Sequence, residues 1–373
     1  MQGVRIGGWG LVKPRAAGRS LGRGVGAMPG VRIGGWGFAK PRAAWKGLSA
    51  VVVFSGMSTP STRLPVILDT DIGYRTDADD ALALAYVLLQ DECELLGVTT
   101  VGLRSDWRAE LADVVCAQLG RDEVPVIAGA DRPVCDTTYW FENPVQPWPA
   151  DLQPRPRCDY PPNQAVDWLR STIRDQPGRI TLITIGQLTN LATLLLIDPE
   201  VADLLDAVIA MGGRIDYPPD QPRSECNIML DPVAASIVFQ RLGEKLTLVP
   251  IDAVRGHGLS VEQLDRMLRS PKLDPVRACT RAWDDQRKRS GLGLADPATV
   301  AVAFGPHLAT SRNARVAIRL YDRPVPEGQP FDRDQVTGVT YLLADQPGPH
   351  RLVTAVDGPA IHEHLLEVFD RTA

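Results

Sequence analysis

The chain has 373 residues, of which 44% are hydrophobic and 23% are charged, a composition typical of a globular protein. No apolar run approaches the roughly 20 residues that span a bilayer, so the sequence predicts no membrane segment. Residues 1–56 contain nine Lys or Arg and no Asp or Glu, which leaves 45 acidic and 31 basic side chains in the other 317 residues. This excess of acidic side chains argues against nucleic-acid binding, which requires a basic surface.

The N-terminal segment contains a repeat. The octapeptide GVRIGGWG at residues 3–10 returns at residues 30–37, and the density of Gly disfavours both helix and strand. One interpretation is a basic targeting or membrane-surface arm. We favour a second, in which the natural start is Met57 and upstream sequence has been translated in front of it. Residues 1–56 are then disordered or not native, and residues 57–373 form the folded domain.

The stretch VILDTDIGYRTDADDALAL at residues 66–84 is predicted to be a buried parallel strand, a turn and the start of a helix. Five carboxylates crowd this turn: Asp69, Asp71, Asp77, Asp79 and Asp80. A simpler interpretation is that the helix dipole stabilises acidic residues in the first helical turn. It does not explain Asp69 or Asp71, which lie at the end of the strand. An all-oxygen set without neighbouring His or Cys favours a hard ion, Ca²⁺ or Mg²⁺.

The rest of the chain alternates strands and helices. Strands are predicted at residues 94–101, 124–129, 179–185, 207–211 and 246–251, and helices at residues 106–119, 163–175, 191–197, 232–241, 261–269 and 275–289. Residues 316–321 and 339–343 are predicted as late strands that can pair as a hairpin, before a closing helix at 358–369. The alternation predicts one α/β domain with a mainly parallel, doubly wound sheet and helices on both faces.

Two other features have competing interpretations. Residues 131–162 form a long segment rich in Pro and aromatic residues, and such segments are often lids or disordered. Its aromatic side chains either close over a planar ligand or pack the segment down: Tyr139, Trp140, Phe141 and Trp148. The six cysteines have no close pairs, which predicts free thiols, most of them buried, and a reducing, cytoplasmic location.

Five separated motifs resemble those of the nucleoside hydrolases, inosine–uridine preferring type, in the same order: DTDIG…DDALAL, IGQLTN, MGG, ECNIMLDPVAA and ADPATVA. The resemblance covers residues 64–370. It implies a single Rossmann-like domain with the nucleoside hydrolase fold, one active-site Ca²⁺ per subunit, and a homodimer or homotetramer. It also implies hydrolysis of the N-glycosidic bond of ribonucleosides.

The resemblance implies roles for particular residues. Asp71 matches the metal-bound general base, Asp80 the bidentate metal ligand, and Asp296 the last protein ligand, which also touches the ribose. Ile185 matches a position whose backbone carbonyl binds calcium. Ca²⁺ would then lower the pKa of a bound water, and Asp71 would take its proton without any covalent intermediate.

Other matching positions surround the sugar. Asp79 matches the carboxylate that holds the ribose hydroxyls, and three residues match contacts around the sugar and its 5′ end: Met211, Glu225 and Asn227. Asp69 matches an acid that supports the site from behind. Thr189 and Asn190 of the IGQLTN motif fit a helix cap, and we leave them out of the predicted site.

The chain also departs from the family pattern. Residues 74–78 stand where the inosine–uridine type has one residue, so Asp77 either adds a ligand or takes over the role of Asp79. The family Asn that binds the ribose 2′ hydroxyl is absent from residues 102–105. Ala295 replaces the His that protonates the leaving base. His257 and Arg255 are candidate substitute donors, and Trp283 either stacks on the base or packs in the fold. We therefore expect weak activity on inosine and better activity on activated or cationic nucleosides.

Two alternatives remain. A Mg²⁺-dependent phosphatase of the haloacid dehalogenase type also has a DxD motif at a strand end, but the ECN…DP and ADPATVA motifs have no place in it. The other alternative is a non-catalytic or slow homologue that binds a nucleoside or a sugar.

Overall fold

The computed structural model describes residues 63–76, 78–134, 145–152, 156–218, 223–287, 291–320, 338–343 and 347–372. The predictions for residues 1–56, and for Asp77, Tyr139, Trp140 and Phe141, lie outside these ranges. None of the helices in the described ranges has the length and apolar character needed to cross a membrane.

The described strands are β1 (Leu64–Thr70), β2 (Cys93–Thr100), β3 (Val126–Ala128), β4 (Thr181–Thr184), β5 (Ala207–Met211), β6 (Leu246–Val249), β7 (Gly258–Leu259), β8 (Leu292–Gly293), β9 (Ala309–Ala314), β10 (Val316–Leu320), β11 (Gly338–Leu342) and β12 (His350–Val356). The α-helices are α1 (Asp79–Leu88), α2 (Ser105–Gln118), α3 (Ala165–Asp175), α4 (Thr189–Ile197), α5 (Val201–Leu204), α6 (Cys226–Leu230), α7 (Pro232–Leu242), α8 (Ile251–Val254), α9 (Val261–Met267), α10 (Asp274–Arg287), α11 (Ala295–Phe304) and α12 (Gly358–Asp370). Short 3₁₀ turns cover Gly243–Lys245, Pro271–Leu273 and Pro306–Leu308.

The central sheet has the strand order β3-β2-β1-β4-β5-β6-β12-β9. Neighbouring strands are parallel except β12 and β9, which pair antiparallel. The order runs outward from β1 in both directions, so the predicted mainly parallel, doubly wound sheet is confirmed. β10 and β11 form a separate antiparallel hairpin, as predicted, in which Val316 lies opposite Leu342.

Helices cover both faces of this sheet because its strands are apolar on both sides. In β1, Val66 and Leu68 pack into one buried layer with residues of α1, α2 and α10–α12. Ile67, which points the other way, packs into a second layer with residues of α3, α4 and α7. The same alternation continues in β4, where Leu182 and Ile183 belong to opposite layers.

The prediction missed two strands of the central sheet, β9 and β12. β9 has the sequence ATSRNA, and its four middle residues are exposed because it is the edge strand. A strand with no buried face lacks the hydrophobic alternation from which strands are predicted. β12 pairs with β9, and its exposed and buried residues do not alternate regularly.

The carboxyl ends of the central strands place several loops at one edge of the sheet. β1 lies between β2 and β4, and Asp69 near its end lies opposite both Thr99 and Thr184. The loops after β1, β4 and β5 therefore meet where the strand order reverses. Ligands of open α/β sheets bind at this kind of position.

Candidate functional site

Three buried carboxylates meet at this edge of the sheet. Asp79 and Asp80 lie in the first turn of α1, and Asp296 lies in the first turn of α11. One oxygen from each carboxylate lies within 4.8 Å of the other two. The backbone N of Asp296 donates a hydrogen bond to Asp79 Oδ2 at 3.4 Å. Two helix N-termini, whose dipoles favour negative charge, therefore converge on one acidic cluster.

The surroundings of Asp80 disfavour its ionised form. Burial raises the pKa of its carboxyl well above the usual value, and the charges of Asp71 and Asp79 raise it further. Thr70 Oγ1 donates a hydrogen bond of 2.5 Å to Asp80 Oδ1, which favours the ionised form and fixes its orientation. The cluster is unfavourable as a set of bare anions, and a cation would relieve this repulsion.

Asp71, the predicted general base, lies half-buried in the loop that links β1 to this cluster. Burial raises the pKa of its carboxyl, whereas the charge of Arg108 and hydrogen bonding lower it. The turn after β4 approaches closely, because a Cβ on Gly186 would lie 2.8 Å from Asp71 N and 3.0 Å from Asp71 Cβ. Glycine at this position therefore allows the two loops to touch.

Arg108 is a site residue that the sequence prediction missed. It lies on α2 with only 1% of its surface exposed, and its guanidinium donates to the backbone carbonyls of Asp71, Ile72 and Leu103. A buried arginine thus links the loop after β1 to the loop after β2. A signal was present, because Arg108 is one helical turn from Leu111 and Ala112, which are buried.

Asp69, near the end of β1, is fully buried, and its suggested role in supporting the site stays a prediction. Its Oδ1 accepts hydrogen bonds from Thr99 Oγ1 at 2.5 Å and from Asn190 Nδ2 at 2.8 Å. The helix-cap interpretation of Thr189 and Asn190 was wrong, because α4 begins at Thr189 and its N-cap residue, Leu188, makes no side-chain cap. Asn190 is buried and joins Asp69 to the backbone of Thr100 and Ala130 instead.

Asp69 should make the stability of the metal-free protein depend on pH. Burial raises the pKa of its carboxyl from 3.8 to about 7, so the native state holds a proton that the unfolded state releases between these values. The unfolding free energy should therefore fall as pH rises through this window. Asp69→Asn keeps an acceptor for Thr99 and Asn190 but cannot titrate.

Urea unfolding of both proteins at about pH 4 and about pH 8 checks this expectation. From about pH 4 to about pH 8, the unfolding free energy of the unmodified protein should fall by roughly 4 kcal/mol more than that of Asp69→Asn. If the difference in unfolding free energy between the two proteins is the same at both pH values, the pKa of Asp69 is not raised.

The residues predicted on the sugar side also lie together. Glu225 caps the short helix α6 and accepts hydrogen bonds from the backbone N of Gly213 and Asn227, each at 2.8 Å. Burial raises the pKa of the Glu225 carboxyl, and the charge of Asp71 adds to this effect. Asn227 Nδ2 donates to the carbonyl of Ile185 at 2.8 Å and to that of Met211 at 3.3 Å. These contacts connect the ends of β4 and β5.

The two residues considered as aids for the leaving base, His257 and Trp283, both have packing contacts with the rest of the protein. The His257 ring packs against Gly358 at the start of α12, where an added Cβ would lie 2.0 Å from His257 Nδ1. The Trp283 side chain, on α10, is partly buried and packs against the apolar core. Ala295, just before Asp296, has a methyl side chain and is buried.

The loop after β1 also contacts the long segment that follows β3. Gln146 N donates a hydrogen bond of 3.1 Å to the carbonyl of Tyr74. Trp148 is buried and meets Tyr74 edge-to-face with ring centroids 5.8 Å apart. Of the two interpretations for the aromatic residues, Trp148 therefore fits packing of the segment.

The donor set suits a hard divalent ion. The structure brings together two predicted metal-ligand carboxylates, Asp80 and Asp296, with Asp79 as the third member of the cluster. Asp71 is near enough to raise the pKa of Asp80 by its charge. All four groups offer oxygen, the ligand that Ca²⁺ and Mg²⁺ prefer. Asp77 lies outside the described residues, so its suggested role stays a prediction.

Comparison with known proteins agrees with this geometry. A family profile described as inosine-uridine preferring nucleoside hydrolase matches residues 66–363. The pyrimidine-specific ribonucleoside hydrolase RihA of Shewanella oneidensis is 30% identical over 287 residues, which cover 74% of this chain and 88% of that protein.

Solved structures show the same fold. A purine-preferring ribonucleoside hydrolase from Gardnerella vaginalis superposes with a TM-score of 0.66 at 23% identity, covering 83% of this chain and 98% of that one. An inosine-uridine preferring nucleoside hydrolase from Bacillus anthracis gives a TM-score of 0.58 at 18% identity, covering 83% and 99%. The motifs, the sheet order and the profile match together establish that the chain belongs to the inosine-uridine preferring nucleoside hydrolase family.

Proposed function

We propose that this chain is a Ca²⁺-dependent enzyme that hydrolyses the N-glycosidic bond of ribonucleosides to ribose and the free base. The observation that carries the proposal is the buried cluster of Asp79, Asp80 and Asp296 beside Asp71. Family membership supports the N-ribosyl hydrolase activity, and the all-oxygen donor set supports calcium as the metal.

Asp71, Asp80, Asp296 and the carbonyl of Ile185 would hold the ion. When bound, Ca²⁺ supplies Lewis acidity that favours deprotonation of water and neutralises the charge of the cluster. Asp80 is oriented for this role by Thr70, and Asp296 by its place at the start of α11.

Asp71 accepts the proton of the water that attacks C1′ of the ribose. The C1′–N bond breaks as the new C1′–O bond forms, and the base leaves with the bonding electron pair. A base that departs as an anion takes a proton from solvent, and Asp71 releases its proton to solvent. Positive charge develops on the sugar in the transition state, and the carboxylates of Asp79 and Asp296 stabilise it electrostatically. The raised pKa of Asp71, caused by burial, suits a group that accepts a proton.

The leaving group should limit this enzyme on ordinary purine nucleosides. Ala295 cannot donate a proton to the departing base, and the His257 ring packs against Gly358. General acid catalysis contributes roughly 10²–10⁴-fold, so kcat/KM for p-nitrophenyl riboside and nicotinamide riboside should exceed that for inosine by about 100-fold or more. Equal values for inosine and the activated substrates would reveal a proton donor elsewhere and contradict this prediction.

A reducing-sugar assay over a nucleoside panel, with calcium and with a chelator, tests the proposed function. Calcium-dependent release of ribose supports it. Nucleoside binding by calorimetry without turnover would favour the non-catalytic alternative, and release of phosphate from phosphate esters would favour the phosphatase. The homodimer or homotetramer that the family resemblance implies is measured separately, by sedimentation.

A further inference from the structure

Three arginines lie on or next to the loops that carry the predicted sugar contacts, and we call them the basic cluster: Arg214, Arg223 and Arg255. Arg214 directly follows Gly213, whose amide donates to Glu225, and Arg223 lies two residues before Glu225. Arg255 follows α8, and the first amide of that helix, on Ile251, donates to the carbonyl of Gly213 at 2.9 Å. The cluster is therefore attached directly to the loops that carry the predicted sugar contacts.

The charge of Arg214 is incompletely neutralised by its surroundings. Burial lowers the pKa of its guanidinium, and the charges of Arg255 and Arg223 lower it further, whereas Asp252 and Asp216 act in the opposite direction. Arg214 Nε is buried, and no described residue accepts a hydrogen bond from it.

Asp252 is the shared counter-ion, and it is already engaged. Its Oδ1 lies 3.3 Å from Arg255 Nη2 and 3.8 Å from Arg214 Nε. Its Oδ2 accepts hydrogen bonds from the backbone N of Ile215 and Asp216. One carboxylate thus pairs with two guanidinium groups and accepts hydrogen bonds from two backbone amides. A further anion would supply the acceptor that Arg214 lacks and would reduce the repulsion among the three arginines.

We propose that the basic cluster binds a phosphate group carried on the 5′ oxygen of the ribose, so that the substrate class includes nucleoside 5′-monophosphates. This inference rests on the proposed function, because Met211, Glu225 and Asn227 mark the 5′ end of the sugar only by resemblance. The guanidinium fork matches phosphate oxygens in geometry and charge. The reaction is hydrolysis of the C1′–N bond to give ribose 5-phosphate and the free base, and the phosphate ester is unchanged.

Calorimetry with ribose 5-phosphate, ribose and inorganic phosphate tests the cluster without relying on turnover. The variants are Arg214→Gln and Arg223→Gln, and the matched control is Arg312→Gln, on an exposed residue of the edge strand β9. The unmodified protein should bind ribose 5-phosphate about tenfold or more tighter than ribose, the gain expected from one charge-assisted hydrogen bond. Arg214→Gln should remove this gain and leave ribose binding unchanged, and Arg312→Gln should change neither.

Turnover adds an independent measurement. The ratio of kcat/KM for uridine 5′-monophosphate to that for uridine should exceed one and should fall in Arg214→Gln and Arg223→Gln. Equal binding of ribose and ribose 5-phosphate, or equal loss of both in Arg214→Gln, would overturn the phosphate site. Binding of inorganic phosphate with no advantage of ribose 5-phosphate over ribose would also overturn it, because the anion site would then not connect to the sugar.

The two proposals fail in different ways. If uridine is hydrolysed but ribose 5-phosphate binds no better than ribose, the phosphate site is wrong and the proposed function stands. If ribose 5-phosphate binds in an Arg214-dependent way but no nucleoside or nucleotide releases sugar, the site stands and the proposed function is wrong. If Arg214→Gln does not fold, Arg223→Gln still tests the phosphate site, because Arg223 is exposed and its replacement should not disturb the fold.

Discussion

Replacing Asp71 by Asn should lower kcat by roughly 10²–10⁴-fold, the range for loss of a general base, with little change in KM. The amide keeps an oxygen that can serve as a ligand and has nearly the shape of the carboxylate, but it cannot accept a proton. The surrounding contacts favour a local effect, because the hydrogen bonds from Arg108 go to backbone carbonyls of this loop and do not depend on the Asp71 side chain.

Steady-state kinetics with the best substrate of the nucleoside panel measures this effect. Asp206→Asn is a matched control, because Asp206 is exposed and the substitution makes the same chemical change away from the site. The far-ultraviolet circular dichroism and the calcium affinity of Asp71→Asn should show that the fold and the metal site survive. A kcat within about threefold of the unmodified enzyme, well short of the range for a general base, would exclude Asp71 from that role.

The fold was predictable where hydrophobic pattern and burial agree. β1 and β5 are covered on both faces, so their runs of apolar residues mark them as strands of a parallel sheet. β9 is exposed and antiparallel at the sheet edge, and its sequence has no apolar face to reveal it. The strand is held by pairing with β12, which is a long-range contact.

The same contrast applies to the site. Asp79 and Asp80 were predicted because they lie close together in the sequence with other acids, at a strand-to-helix turn. Asp296 could be added only through the family resemblance, since nothing near it in the sequence shows that it meets Asp79. The local pattern indicates that Arg108 is buried, but the hydrogen-bond partners of Arg108 and Asn190 could not be predicted, because they lie 37 and 121 residues away, at Asp71 and Asp69. Hydrogen bonds between distant segments leave little local pattern from which to predict them.

Substitution of Asp80 by Ala should remove tight calcium binding. Loss of a residue that only hydrogen-bonds to a metal ligand lowers metal affinity by about 10- to 100-fold, so loss of a carboxylate of the cluster itself should weaken calcium binding by at least about 100-fold. The charges of Asp71 and Asp79 both raise the pKa of the Asp80 carboxyl. Its removal therefore takes away a ligand and also relieves repulsion in the metal-free protein.

Two measurements separate these effects. Calorimetric titration with calcium should show the loss of affinity. Thermal unfolding should show that calcium stabilises the unmodified protein, by about 2.7 kcal/mol at a calcium concentration of 100 times Kd, but not Asp80→Ala. Without calcium, Asp80→Ala should be no less stable than the unmodified protein near pH 8, because it lacks a buried carboxylate that is costly to ionise.

Thr70→Val provides the matched control, because it removes the hydrogen bond to Asp80 Oδ1 while it keeps the carboxylate. Its calcium affinity should fall between those of the unmodified protein and Asp80→Ala, by the roughly 10- to 100-fold typical of an outer partner. An Asp80→Ala protein that binds calcium as tightly as the unmodified protein would remove Asp80 from the metal site. The ion would then have to be held by Asp71, Asp79 and Asp296 without it.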